Sequence, residues 1–521
     1  MVVSAPVQDK AQRHLVLATI DEQARPLSIR VLGAYAESLG VRTTLLVILR
    51  ALATPGHPVE FTEAELDRLA KFLARERVTH LGFYLMTASL KPYRLLVRGL
   101  RARGYRGILM AGGVHVALCP RESLPEEADY AVQGAGEVPL RMILEGAEPA
   151  TIPGLVWRKN GEIAVNAVSP AQNLELDGLP FPLFRFDRDW ILADGKLRKL
   201  DWAMHSRHAN WRGRYYDLVT SRGCAYRCAY CCNVYGAPVR RQSVDRVMAE
   251  VRHVKETEPR IAGFNIQDDS FYAGSEEWLQ EFCRRWKAEV GLPFITRMIP
   301  RYVTAERLAL LKDAGLQYVT MGLEGSDRVN REVYDRKETG ATFLKAARTV
   351  LESGLWLSID YIIHNPYERE ADLREVAGVL NGLPRPHWWI VCLSLTPFPN
   401  TPLHGRCLRD GTLDRFATDA YDSMLNPEKP GGYRTPPFWL DLITLVLPNV
   451  NAALGARLIE AGPGDPRNAA TVQSLAKWFR IAKGTTGWLR DRTPWLYAAV
   501  YRLLRLVSRR RRAPGEMNVV E

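Results

Sequence analysis

No stretch of this sequence approaches the roughly 18 to 20 consecutive apolar residues that a spanning helix needs, so no helical membrane span is expected. The opening residues, MVVSAPVQDKAQRH, lack a long apolar core, so a secretory leader is not expected either, and the cytoplasm is the default location. Cysteine is scarce, with eight in 521 residues and none before Cys119, which argues against a disulfide scaffold. No repeat appears at solenoid periods. Neither sign of charge dominates: Lys and Arg total 70 against 58 for Asp and Glu, and Arg509 to Arg512 account for four of the excess. Such a balance fits a nucleic acid, an anionic membrane face or acidic small molecules, and does not choose among them.

What is present is ordinary globular material, 47% hydrophobic and 25% charged. The length exceeds the roughly 250 to 300 residues that one core supports, so two large domains with smaller additions are expected. From His14 to Glu145 short apolar runs alternate with amphipathic ones. Strands are expected at His14 to Ile20, Arg42 to Leu49, Val78 to Met86, Gly107 to Ala111 and Tyr130 to Val132. Helices are expected at Leu27 to Leu39, Phe61 to Glu76 and Lys91 to Arg103, the second opened by Thr62 with Glu63 and Glu65 in its first turn. This βαβ succession implies an α/β fold with a doubly wound parallel sheet over 1–150.

Residues 151–215, punctuated by Pro, Asn and Gly, read as a connector in which short apolar segments such as Gly154 to Arg158 suggest small antiparallel pieces, with an extended path at Leu176-Asp177-Gly178-Leu179-Pro180-Phe181-Pro182. A second alternation follows over 216–425. Its strands are expected at Asp217 to Ser221, Gly263 to Gln267, Phe294 to Met298, Tyr318 to Gly322, Leu357 to Ile363 and Trp388 to Ser394. Six βα units suit a partial barrel of TIM type, (β/α)6, with function collected at the C-terminal ends of its strands. Residues 426–521 read as a helical extension, whose last helix has Thr493 as cap, Pro494 in the first turn, and Trp495 to Val507 apolar with Arg502 and Arg505 interleaved.

Three of the cysteines fall within one short run, Ser221-Arg222-Gly223-Cys224-Ala225-Tyr226-Arg227-Cys228-Ala229-Tyr230-Cys231, directly after the first barrel strand. Cys-x3-Cys-x2-Cys supplies three soft thiolates in a short reach, as an iron–sulfur cluster with one open iron requires. The alternative, a zinc site completed by Cys232 or a distant histidine, lacks the second Cys-x2-Cys pair that such sites usually show.

This spacing, with the aromatic Tyr230 just before the third cysteine, resembles the signature of the radical S-adenosylmethionine (SAM) superfamily. The resemblance extends over the barrel and implies a 4Fe–4S cluster held by Cys224, Cys228 and Cys231. SAM would bind the open iron and be cleaved reductively to a 5′-deoxyadenosyl radical that abstracts hydrogen from an unactivated carbon. Tyr230, Asp268 and Asp269 after the second strand, Arg297 at the end of the third, and Gly322 and Glu324 on the fourth resemble the positions that face SAM. The sequence departs from its relatives at His364-Asn365-Pro366-Tyr367-Glu368, where many resemble Gly-x-Pro-Gly-Glu, and at Asn400, where glycine is common.

The N-terminal region is similar to the Rossmann-like cobalamin-binding domain that precedes the barrel in one branch of that superfamily. The resemblance rests on Pro26 to Tyr35, on Gly112-Gly113-Val114-His115, and on Gln133-Gly134-Ala135-Gly136-Glu137, and implies cobalamin contacts at Gly112, Gly113, Val114, His115 and Gly134. The Asp-x-His-x-x-Gly motif that supplies a lower histidine ligand elsewhere is absent, so a cobalt without that histidine is expected.

The resemblance favours a cobalamin-dependent C-methyltransferase for a small-molecule or lipid-like substrate, with a reductase, flavodoxin or ferredoxin as electron donor. A ring-forming or rearranging enzyme with the same cofactors is the sibling reading. Transfer RNA methylthiolation would need three more cysteines ahead of the barrel, so no nucleic-acid partner is expected, and a non-enzymatic cobalamin sensor would have no use for the triad. Two readings of Trp495 to Arg512 stand: a helix lying peripherally on an anionic membrane, or one packed on the barrel with a solvated basic end.

Overall fold

The computed structural model describes residues 13–23, 27–50, 60–186, 188–233, 238–272, 274–385, 387–413 and 434–492, with side chains to 482. The helix expected over Trp495 to Val507 lies outside these residues.

The N-terminal sheet is built on β1 (His14–Asp21), whose first seven residues are all buried, as a strand covered on both faces requires. Parallel to it run β2 (Arg42–Leu49), β3 (His80–Tyr84), β4 (Ile108–Gly112) and β5 (Tyr130–Val132) in the spatial order β5-β4-β3-β1-β2. Helices Glu63–Arg75 and Leu90–Ala102 cover one face through Leu69, Phe72 and Leu96, while Leu27–Ser38 and Glu137–Glu145 cover the other through Ile29, Ala36, Leu140 and Ile143. The chain is therefore doubly wound, and the strand order reverses between β1 and β3, where such sheets open a ligand crevice. Thr62 caps its helix as expected, accepting from Glu65 N at 3.2 Å while the Glu65 carboxylate accepts from Thr62 N at 2.9 Å.

Residues 151–215 form more than a connector. β6 (Leu155–Lys159) and β7 (Glu162–Val165) extend the sheet antiparallel beyond β5. On the opposite edge β8 (Trp190–Ala193) pairs parallel with β2, and β9 (Lys196–Lys199) pairs antiparallel with β8, giving nine strands in all. β6 is the antiparallel piece expected at Gly154 to Arg158, whereas the other three, four residues each with polar neighbours, are too short for sequence periodicity to separate from loop.

The second sheet is the expected partial barrel: β10 (Tyr215–Leu218), β13 (Gly263–Ile266), β14 (Phe294–Arg297), β15 (Leu316–Glu324), β16 (Trp356–Ile363) and β17 (Trp388–Ser394), all parallel and in sequential order. Between its first two strands lies a two-residue ladder, β11 (Ser221–Arg222) with β12 (Arg240–Arg241). The described residues divide into two compact units, one within Met1–Asp372 and His387–Arg434, the other within Leu373–Pro386 and Thr435–Glu521. The expected boundary near 425 is thus not a simple cut, because residues 373–386 group with the later helices. In that second unit Asn468 donates to the carbonyls of Leu458 and Gly462, tying helix Ala452–Ala461 to helix Pro466–Arg492.

Candidate active site

The antiparallel pairing of β11 with β12 pins the two ends of the cysteine loop together. Gly223, at φ +101°, then turns the chain into the loop through a conformation that side chains rarely adopt. Beneath the turn sits Asp268, buried at the end of β13. Its Oδ1 accepts from the backbone N–H groups of Thr220 and Ser221 at 2.7 and 3.0 Å, and its Oδ2 accepts from their hydroxyls at 2.5 and 2.7 Å. Burial raises the Asp268 carboxyl above its ordinary range, opposed by those donors and by Arg241, whose Nη1 lies 3.7 Å away. Expected beside SAM, Asp268 is instead committed through both oxygens to holding the cysteine loop.

Cys228 is buried, and Cys224, Cys231 and Cys232 are half-buried. The N–H of Tyr226 points at Cys224 Sγ and that of Asn233 at Cys231 Sγ, both at 3.4 Å, while Arg336 Nη1 lies 3.9 Å from Cys228 Sγ. Burial pushes the Cys224 and Cys228 thiols up, so their thiolates need a cationic partner of the kind an iron cluster provides. Three soft donors on one loop, with N–H groups aimed at two of the sulfurs, fit a 4Fe–4S cluster.

Across from the loop, the ladder between β15 and β16 shifts register at Gly322 and Glu324, and Glu324 takes φ +63°. The Glu324 carboxylate lies over Gly322, where any Cβ would collide with it. Arg336 bridges this strand to the cysteines, its Nη2 donating to Gly322 O at 3.0 Å, and its Nε is buried without a hydrogen-bond partner. Burial pushes Glu324 up to about 7, with Arg336 opposing and Asp360 adding to the rise. Asp360 is itself pushed by burial up to about 6, against Arg297 and Arg336. Tyr230 packs edge-on against Tyr334 at 4.9 Å. Asp269 accepts from Asn233 Nδ2 at 3.2 Å. Arg297 donates to Gln267 Oε1 at 2.7 Å and lines a polar chamber of about 330 Å³ with Asn265, Thr320, Tyr318 and Trp211. The carboxylates of Glu324 and Asp269, able to accept from a ribose, and the guanidinium of Arg297 form a set that fits SAM.

A larger cavity, about 430 Å³, opens at the switch point of the N-terminal sheet. Its walls come from β1 and β3 (Leu17, Gly82), from Gly112, Gly113 and Gly134, and from Ser221, Arg222, Gly223 and Asp269 of the barrel. Gly113, at φ +108°, leaves no room for a Cβ, which would meet Leu85 O and the Tyr84 ring at 2.8 Å. Smooth backbone at strand ends and a mostly apolar lining fit the face of a corrin, and none of the lining residues is a histidine. Val114 and His115 do not line it. His115 is 1% exposed, with Nδ1 3.2 Å from Thr87 Oγ1, and burial lowers its pKa. Its helix, Val114–Leu118, turns it into the domain instead of toward the crevice.

Two further contributors, Arg336 and Arg246, carry no sequence signal, and a third, Glu137, carries one only through the turn Gln133 to Glu137. Arg336 sits in Asp335-Arg336-Lys337, which reads as a solvated charge run. Glu137, 4% exposed and just after the Gly-rich turn, accepts from Arg222 Nη1 at 2.8 Å and so ties the N-terminal domain to the cysteine loop. Arg246, stacked on Phe181 at 4.2 Å, donates to Leu179 O and Pro180 O at 3.1 and 3.3 Å, fastening the extended proline segment beside the cavity.

Comparison with known proteins agrees with this geometry. Residues 218–380 match the radical SAM superfamily and residues 13–144 match the B12 binding domain. The chain thus carries a radical SAM domain with a B12-binding domain ahead of it, domains whose cofactors are a 4Fe–4S cluster with SAM and cobalamin. It is similar to cytidylyl-2-hydroxyethylphosphonate methyltransferase of Streptomyces wedmorensis, 26% identical over 46% of this chain and 49% of that one. It is also similar to the anaerobic magnesium-protoporphyrin IX monomethyl ester cyclase of Cereibacter sphaeroides, 23% identical over 61% of this chain and 51% of that one. The aligned part thus spans about half the length of either relative. In fold it resembles the radical SAM methyltransferase TsrM of Kitasatospora setae, solved with tryptophan and a SAM analogue, at a TM-score of 0.61 and 18% identity over 81% of this chain and 84% of that one. Among the described residues no helix is long and apolar enough to cross a membrane.

Proposed function

We propose that this enzyme is a cobalamin-dependent methyltransferase that acts on an unactivated carbon of a small molecule. The observation that carries the reading is the shared cavity: Gly112, Gly113 and Gly134 of the sheet face Arg222, Gly223 and Asp269 of the barrel across one space. When bound, SAM on the cluster supplies a carbon radical and cobalamin supplies a methyl group. The chain's own work is placement. Cys224, Cys228 and Cys231 hold the cluster on a loop fixed by Asp268 and the β11–β12 ladder. Glu324 offers a carboxylate to SAM hydroxyls, Arg336 orients the strand that carries it, and Tyr230 closes the space between them. The amides and guanidinium of Asn265, Gln267 and Arg297 give the barrel interior a polar wall that favours a hydrogen-bonding small molecule over a bare hydrocarbon. A low-potential donor such as a flavodoxin or ferredoxin supplies the electron.

The cyclase relative motivates a second reading, ring formation or rearrangement with the same cofactors. Both are tested by anaerobic turnover with methyl-deuterated SAM and a strong reductant. Methyl transfer predicts both 5′-deoxyadenosine and S-adenosylhomocysteine, with deuterium in the product. Deoxyadenosine alone, with no label transferred, favours the cyclase reading. Intact SAM under these conditions overturns both.

A further inference from the structure

Behind the glycine turn of the N-terminal sheet sits a group of donor side chains that lines neither cavity. Backbone bonds from Cys119 N to His115 O at 2.7 Å and from Ser123 N to Cys119 O at 3.1 Å carry the turn of helix Val114–Leu118 on past Pro120. Spacings of four and three residues then bring His115, Cys119 and Glu122 to one side of that turn. A ring nitrogen of His115, the Cys119 Sγ and a Glu122 carboxylate oxygen all lie within 4.8 Å of one another. His115 and Cys119 are buried, while Glu122 reaches solvent and gives an ion a way in.

The surroundings hold these atoms as a metal site would need. His115 Nδ1 lies 3.2 Å from Thr87 Oγ1, which orients the ring, and Nε2 is buried with no hydrogen-bond partner among the described residues. A buried ring nitrogen left in that state costs free energy unless something meets it. Metal-bound histidines commonly anchor their other ring nitrogen in this way. From the barrel, Asn400 Nδ2 donates to Leu118 O at 2.7 Å and lies 3.8 Å from Cys119 Sγ, directing an N–H toward the sulfur. Arg94 Nη2 stands 3.6 Å from Glu122 Oε1, with both side chains more than two-fifths exposed, a surface contact too weak to hold the carboxylate against a divalent ion.

We infer that His115, Cys119 and Glu122 form a binding site for a zinc ion, with the fourth position left to water. One thiolate, one imidazole and one carboxylate supply three of the four donors of a tetrahedral zinc site, and sulfur with nitrogen disfavours magnesium and calcium, which take oxygen. On binding, the Cys119 thiol gives its proton to solvent as the zinc–sulfur bond forms. The site uses no residue of the cluster loop, so it stands or falls separately from the methyltransferase reading.

The test loads the full chain with cluster and cobalamin, equilibrates it with buffered zinc, and measures zinc, iron and cobalt per chain together with X-ray absorption at the zinc edge. About one zinc per chain is expected in addition to the iron, with one sulfur at about 2.3 Å and the other ligands nitrogen or oxygen at about 2.0 to 2.2 Å. Cys119→Ser should lower zinc affinity by more than about 100-fold, and the surface change Glu122→Gln by about 10-fold, with iron and cobalamin contents unchanged. A chain that retains no zinc, zinc whose spectrum shows no sulfur or more than one, or zinc held as tightly in either variant would each overturn the assignment.

Discussion

The cysteine loop and the crevice of the N-terminal sheet are constructed in opposite ways. The loop gathers its three sulfur donors within one short run and is braced from below by a single buried carboxylate with four donors. The crevice has no comparable ligand. It is a shape made by glycine backbone at strand ends, by an extended proline segment and by the barrel's first loop. A metal site needs particular atoms, and a planar macrocycle needs room. Loss of one atom should therefore abolish the first, while the second should fail by degrees.

Substitutions can break that contrast. Cys228→Ala should remove the iron altogether while cobalamin uptake persists, measured by metal analysis and optical titration; loss of both together would mean that the sites are not independently built. Asp268→Ala strands two buried N–H groups and two hydroxyls, and is expected to cost about 3 kcal/mol of stability and to speed loss of iron, read by thermal unfolding and chelator challenge. Gly113→Ala forces a Cβ into the Leu85 carbonyl at positive φ. It should cost about 2 kcal/mol and weaken cobalamin binding with iron unchanged. Glu324→Gln removes the carboxylate but keeps the shape, so SAM affinity should fall by about tenfold, roughly one charge-assisted hydrogen bond, in equilibrium binding to the loaded protein. The mildest is Glu137→Gln, which exchanges the ion pair with the partly exposed Arg222 for a neutral contact at about 1 kcal/mol. It should loosen cobalamin more than iron.

The same contrast explains what could be read from the sequence. The strands of the two βα alternations fall within a few residues of expectation because apolar runs alternating with amphipathic ones mark them. The cysteine triad was legible because its ligands are neighbours in the chain. Asp268 and Asp269 are adjacent, yet one is buried under the loop and the other faces the cavity, and the residue types alone carry no sign of which is which. Arg336 reaches Cys228 across more than a hundred residues of sequence, through packing that no local pattern announces. His115 shares its motif with Gly113, but the first turn of a short helix takes it out of the crevice. At two of the departures from the superfamily pattern the backbone keeps a conformation suited to glycine: His364 and Asn400 take φ +60° and +62°, the left-handed region that glycine would occupy without strain. Asn400 uses its side chain there, donating to Leu118 O at 2.7 Å. Of the four short strands of 151–215, the antiparallel piece expected at Gly154 to Arg158 is β6, and the other three carried no named signal because pairing, not periodicity, defines them.

One cavity joins the cysteine loop to the glycine-lined crevice of the N-terminal sheet. The most direct measurement is anaerobic reconstitution of the full chain with iron, sulfide and cobalamin, followed by metal and corrin quantification. About four irons and about one cobalamin per chain are predicted, with Cys228→Ala losing only the first and Gly113→Ala impaired only in the second. A chain that takes up zinc in stoichiometric amount in place of iron, or that never retains cobalamin, would contradict it.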